Sequence, residues 1–166
     1  MHALSDVRAL SKPAAYDELA TSLGALLAGE KNLVACAANM SSLLNWSLPD
    51  LNWVGFYLLD DESGDLIVGP FQGKPACVRI PPGKGVCGTA ALQRRTLVVA
   101  DVHEFPGHIA CDSASNSEIV VPVIASGRLL GVLDLDSPLL NRFDADDARG
   151  LERLVAVLVD VLQTRR

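Results

Sequence analysis

Cys77, Cys87 and Cys111, three of the four cysteines, fall in one middle stretch, within GPFQGKPACVRI, PPGKGVCGTAA and FPGHIACDSASNSEIVVPV. Their spacings of ten and twenty-four residues contain no CxxC or CxxxC step, so the paired ligands of a structural zinc site are missing. Thiol redox chemistry becomes the leading reading, with neither metal nor cofactor expected. Cys87 follows the glycine-rich turn PPGKG at an apparent helix start, beside Lys84. A helix dipole and a cation there would lower its thiol pKa, which makes it the nucleophile that local physics selects. Cys77 alternates with Arg79 on an apparent strand and reads equally as buried filler or as a thiol near a guanidinium. Cys111 lies three residues after His108 in an irregular section that could present it to solvent. Cys36, three residues after Leu33 at helical spacing, reads as a small buried hydrophobe. A Cys-His hydrolase or a His103, His108 and Cys111 metal site is poorly supported: no partner orients the histidine, and all three ligands would come from one loop.

Acidic residues are the second chemical feature. In RLLGVLDLD, strand alternation puts Leu130, Val132, Asp134 and Asp136 on one face, with the two carboxylates about 7 Å apart. Partial burial and like charge would raise at least one of their pKa values, giving a proton donor near neutral pH or a binder of an ammonium group. The ordinary alternative is a strand running out of the core into the turn at Ser137 and Pro138. Glu118 opens the preceding strand and would lie across from the residues after Asp134. By the same alternation Trp53, Gly55 and Tyr57 share a face, which could floor a small pocket or simply be core.

Elements that must position these groups are legible from hydrophobic periodicity. Tyr16, Leu19, Ala20, Leu23, Leu26 and Leu27 predict one helix, and Leu33, Ala37, Met40 and Leu44 a second after Gly29. NWVGFYLLD, DLIVGPFQ and ACVRI predict three strands, GVCGTAALQRR a short helix and TLVVA another strand. DVHEFPGHIACDSASNS is irregular, the natural place for a site. EIVVPVIA and RLLGVLDLD form a hairpin across SGR, and a helix from about Asp146 presents Leu151, Leu154, Val155, Leu158, Val161 and Leu162 as one stripe, capped by Asp144 with Asp147 in its first turn. This order predicts an α+β domain: an antiparallel sheet with helices packed mainly on one face.

The chain has 166 residues, 49% of them hydrophobic, enough for one core but not two. A single domain over 1–166 is expected, with residues 1–14 as an extended arm. The net charge of −6, with scattered basic residues, argues against nucleic acid or an anionic membrane as partner. No apolar run suits a signal peptide or a membrane span, so a cytoplasmic protein is expected. Cysteines in that reducing compartment are normally free, and disulfides that form there are usually transient.

Taken in order, NWVGFYLL, VGPFQGKPACVRI, GKGVCGTAA, DVHEFPGHIACDSASNSEIVVPV and GVLDLDSP resemble the free methionine-R-sulfoxide reductase family, built on a single GAF domain. The likeness runs from about Tyr16 and is densest from Asn52 to Pro138. It implies reduction of free L-methionine-(R)-S-oxide to L-methionine. By this resemblance Cys111 attacks the sulfoxide sulfur, Cys77 captures the sulfenic acid as a disulfide, and Cys87 is a third thiol able to assist or relay. Thioredoxin or a similar dithiol would restore the enzyme. The resemblance also gives Glu118, Asp134 and Asp136 the substrate amine and the sulfoxide proton, and Trp53 and Tyr57 the S-methyl group. Pro82 departs from it, standing where a bulkier apolar residue is expected.

A stand-alone GAF sensor binding a small molecule without turnover is the alternative, and it would need a separate partner for output. A peroxide-sensing switch would use the same thiols without needing the three acids. The physiological reductant and a homodimer through the helices are left open.

Overall fold

The structure, a computed structural model, describes residues 6–109 and 112–163. Eleven elements follow in the order α1 (Lys12–Leu26), α2 (Leu33–Ser47), β1 (Trp53–Leu59), β2 (Leu66–Gly73), β3 (Arg79–Ile80), α3 (Gly85–Gln93), β4 (Leu97–Val99), a 3-10 turn (Val102–Glu104), β5 (Ser117–Ala125), β6 (Arg128–Ser137) and α4 (Ala145–Gln163). The strands form one sheet in the order β3-β2-β1-β6-β5-β4, and every pairing is antiparallel. The expected α+β architecture is present. Among the described residues no helix is long and apolar enough to cross a membrane.

Alternation along the strands divides the core in two. Val54, Phe56, Ile119, Val121, Leu133 and Leu135 face α1, α2 and α4. Trp53, Tyr57, Val120 and Val132 face the other way, against α3 and the long connections. The first layer is continuous and apolar, including Cys36, Met40, Leu44, Leu151, Leu154 and Leu158. The second is interrupted by Cys87, Glu118 and Asp134. Helices α2 and α4, with α1 packed on them, cover one face, and among the described residues the nine-residue α3 is the one helix on the other, which leaves room there for a cavity.

Two local devices hold the layers in register. The β5–β6 hairpin closes through Ser126 and Gly127, both at positive φ (49° and 77°), the requirement of a two-residue turn that matches strand twist. At the start of α4, Asp144 accepts hydrogen bonds from the Asp146 and Asp147 backbone N–H groups at 2.9 and 3.2 Å, as the sequence predicts. Asp147, 1% exposed, reaches Lys12 at 2.6 Å, Arg142 at 3.3 Å and the Tyr16 hydroxyl at 2.9 Å. That network ties α1 to α4 and to the connection before it.

Two expectations change. Helix α1 begins at Lys12, and Val7 is buried in the core before it, so an arm extending to residue 14 is too long. The strand expected over ACVRI shrinks to Arg79 and Ile80, which pair with Ile67 and Leu66. Cys77 therefore lies in an irregular segment. Arg79 turns to Asp60 and Asp65, each at 3.5 Å, instead of serving a thiol.

Gly150 lets α4 approach α1: a Cβ there would meet the Tyr16 ring at 2.1 Å. Gly150→Ala should cost about 1–3 kcal/mol through forced repacking. Gly24→Ala, whose Cβ would make an ordinary 3.8 Å contact with Val157, should gain up to about 1 kcal/mol of helix propensity. Urea midpoints of the two variants should move in opposite directions.

Candidate active site

Strand register assembles the acids. Asp136 lies opposite Glu118 on β5 and opposite Trp53 on β1, while Asp134 lies opposite Gly55 and Val120. All point to the face away from the three large helices. Gly55 has a steric reason, since a Cβ there would sit 2.3 Å from the Phe71 Cβ. Phe71 stacks on Trp53 at 5.2 Å between ring centroids, and Trp53 on Tyr57 at 5.7 Å. Trp53 and Tyr57 line the cavity with Cys87, Glu118, Asp134 and Asp136.

Among the described residues, none of the three carboxyl groups has a lysine or arginine within ion-pair distance. Burial therefore raises their pKa values, opposed only in part by hydrogen bonds from Cys87, Glu118 and Ser115. Asp134 is pushed up to about 7 by desolvation. Glu118 is driven well above the usual range by burial and then by the charges of Asp134 and Asp136. Burial and Asp134 push Asp136 upward too, although a hydrogen bond from Ser115 opposes the shift. Burial, followed by the charge of Asp134, also raises Tyr57.

These acids reverse the local expectation for Cys87. Its position in the first turn of α3 is as the sequence implies, with Lys84 as the N-cap residue. The thiol, however, is 4% exposed and lies 3.9 Å from Glu118 Oε1. Desolvation, followed by the charges of Asp134 and Glu118, raises its pKa well above the ordinary thiol value. Cys87 is consequently a protonated hydrogen-bond donor at neutral pH.

Cys77 is disulfide-bonded, whereas Cys36 and Cys87 are free thiols. The segment around Cys77 is fastened by the Trp53 indole N–H, which donates to the Lys74 carbonyl at 3.2 Å. The Lys74 ammonium reaches Asp112 at 3.6 Å. Cys111, expected from the resemblance to be the attacking thiol, lies outside the described residues.

Several contributors escape a reading of the sequence. Asn52 donates through its side-chain N–H groups to Asp112 Oδ2 at 3.1 Å and Ser115 Oγ at 3.0 Å, bracing the segment that leads into β5. The Ala114 backbone N–H, then Asn52 and Lys74, hold the Asp112 carboxyl below its usual range. His108 Nδ1 lies 3.9 Å from Glu118 Oε2, and burial lowers the imidazole pKa, so this histidine is neutral near pH 7. The Asp-x-x-Ser spacing of a turn was the available signal for Asp112 and Ser115. Asn52 and Lys74 carry no local signal, because their partners are distant in sequence.

Three buried polar atoms in and around this cavity, on Asn52 (Oδ1), His108 (Nδ1) and Asp134 (Oδ1), have no hydrogen-bond partner among the described residues. Such vacancies on a concave surface are the mark of a site shaped for a polar ligand.

Residues 40–163 match the family model of the GAF domain. Free methionine-R-sulfoxide reductase from Escherichia coli (strain K12) is 52% identical over 155 residues, covering 93% of each chain. The enzyme of the same name from Saccharomyces cerevisiae is 46% identical over 156 residues, 90% of this chain and 86% of that one. The chain belongs to the free methionine-R-sulfoxide reductase family. The free methionine-R-sulfoxide reductase from Neisseria meningitidis, solved in complex with its substrate, superposes with a TM-score of 0.93 at 45% identity, covering 98% of this chain and 96% of that one. As a member of this GAF-domain family, the chain carries its acids and stacked aromatics on the sheet face that bears α3.

The raised carboxyl pKa values give this reductase-family protein a distinctive pH dependence. Between about pH 4 and pH 7 the folded protein keeps the Asp134 proton that the unfolded chain releases at its ordinary value of 3.8. Stability therefore falls as pH rises through that window, by up to about 1.4 kcal/mol per pH unit for one group, and Glu118 and Asp136 act in the same direction. Asp134→Asn should give a shallower profile and a higher denaturation midpoint than the unsubstituted protein at pH 8, measured by urea unfolding from pH 4 to pH 8.

Proposed function

We propose that this chain reduces free L-methionine-(R)-S-oxide to L-methionine through its thiols, with Cys111 as the attacking residue and Cys77 as the resolving one. The observation that carries the reading is the gathering of three carboxyl groups, with no lysine or arginine in ion-pair contact among the described residues, on a cavity walled by Trp53 and Tyr57. A free amino acid brings the missing cation as its ammonium group. A sulfoxide oxygen needs the proton that a carboxyl titrating at about 7 can give.

In the proposed sequence the Cys111 sulfur attacks the sulfoxide sulfur, and Asp134 or Asp136 protonates the oxygen as the sulfoxide is reduced. Methionine leaves, and Cys111 becomes a sulfenic acid. Cys77 then attacks that sulfur, forming a disulfide and releasing water. Two electrons and two protons from thioredoxin or a similar dithiol return both thiols. The sum is one sulfoxide and one dithiol converted to methionine, disulfide and water. Support for Cys77 as the resolving residue comes from its disulfide and from the free state of Cys36 and Cys87. Cys87, protonated among acids, serves as a reserve thiol and not as the first nucleophile. Trp53 and Tyr57 offer an apolar wall for the S-methyl group.

Both epimers of free methionine sulfoxide, incubated with reduced protein and excess dithiol, should be followed by chiral chromatography. The R epimer alone should disappear, with an equal amount of methionine formed. Cys111→Ser should lower the rate by at least about 10³-fold. Asp134→Asn should lower it by about 10²–10⁴-fold, the usual worth of a general acid, while peroxide-driven disulfide formation continues. Absence of methionine from either epimer, with folded protein and reduced thiols, would overturn the assignment in favour of a ligand sensor.

A further inference from the structure

The cavity contains a donor set that the reductase chemistry does not exhaust. Cys87, Glu118 and Asp134 each offer one ligand atom, and the three atoms lie within 4.8 Å of one another. Donors around tetrahedral zinc stand about 3.3–3.8 Å apart, given bond lengths of about 2.0–2.3 Å. A contraction of at most about 1–1.5 Å therefore closes this set around an ion. An independent observation also points to a ligand: Asp134 is 5% exposed and lines the cavity, and although its carboxyl shares hydrogen bonds with Cys87 and Glu118, its Oδ1 has no partner among the described residues. Neither Glu118 nor Asp134 has a lysine or arginine partner among the described residues.

We propose that Cys87, Glu118 and Asp134 form a binding site for a thiophilic divalent cation, zinc being the common biological example. Sulfur selects for such ions over magnesium and calcium, which take oxygen ligands in sets of six or more. Three protein ligands leave a fourth position for water. The ion displaces the thiol proton to solvent and takes the cysteine as its thiolate. A loaded site has Glu118 and Asp134 engaged by metal, which leaves only Asp136 of the three carboxyl groups for the ammonium of an amino acid and weakens its binding. This consequence, inhibition by metal, rests on the reductase reading, whereas metal binding itself does not.

The oxidised protein isolates the question, because Cys77 is then held in a disulfide while Cys87 and Cys36 remain free. Cobalt(II) titrated into the full chain with its disulfide intact should give a near-ultraviolet sulfur-to-cobalt charge-transfer band that saturates at one equivalent and is abolished by excess zinc(II). The band should disappear in Cys87→Ser and persist in Cys36→Ser. Asp134→Asn and Glu118→Gln, which keep side-chain shape and the thiol, should each weaken cobalt binding at least tenfold. No thiolate band in the folded, unsubstituted protein would overturn the proposal, as would a band that survives Cys87→Ser or is unaffected by both carboxyl substitutions. The titration involves no turnover, so its failure is distinguishable from failure of the reductase assignment.

Discussion

Placing Glu118, Asp134 and Asp136 beside the Cys87 thiol, with no lysine or arginine among the described residues in ion-pair contact, imposes a condition that the surrounding structure has to meet. Charge taken out of water without a counter-ion costs several kcal/mol per group. The protein relieves the cost by holding protons, which is why the carboxyl and thiol values all move upward. Like charges relax apart if they can, and here they cannot. Antiparallel register opposes Glu118 to Asp136 across the central β5–β6 pair, and Asp134 lies two residues along the same strand. Asn52, Ser115 and Asp112 brace the approach to β5.

The same chain shows what a buried acid looks like when its work is structural. Asp147 is as deeply buried as the site acids, yet Lys12, Arg142 and the Tyr16 hydroxyl surround it. Its carboxylate also accepts from the Asp144 backbone N–H at 2.9 Å. Donors meet Asp147 from several directions, whereas Asp134 retains an unpartnered oxygen. Burial alone does not separate the two cases. The completeness of the partner set among the described residues does.

Periodicity made most of the fold legible. The helices, the β5–β6 hairpin, the shared face of Trp53 and Tyr57 and the clustering of the acids all follow from spacings of about 3.6 or 2 residues, which local backbone geometry enforces. Failures of that reading occurred where distant contacts decide. Cys87 carries the local marks of an activated thiol, but β5 and β6 bring carboxyl groups against it from residues 118 and 134. Alternation leaves a Cys77 partner as one of two readings for Arg79, and the turn after β1 supplies Asp60 and Asp65 to it instead. Asn52 and Lys74 act through Asp112, a partner that nothing adjacent to them announces.

Cys36 gives the two-layer arrangement a further meaning. It sits fully enclosed among α1, α2, α4 and the opposite face of the sheet, so the backbone of the strands stands between it and the chemistry of the cavity. The sheet is thus a bulkhead as well as a scaffold. Under the proposed thiol mechanism, oxidation would be confined to the layer that holds Cys77 and Cys87, while the Cys36 sulfur stays out of the circuit. On that mechanism the protein could be oxidised and restored repeatedly without the cycle spreading into the packing that keeps it folded.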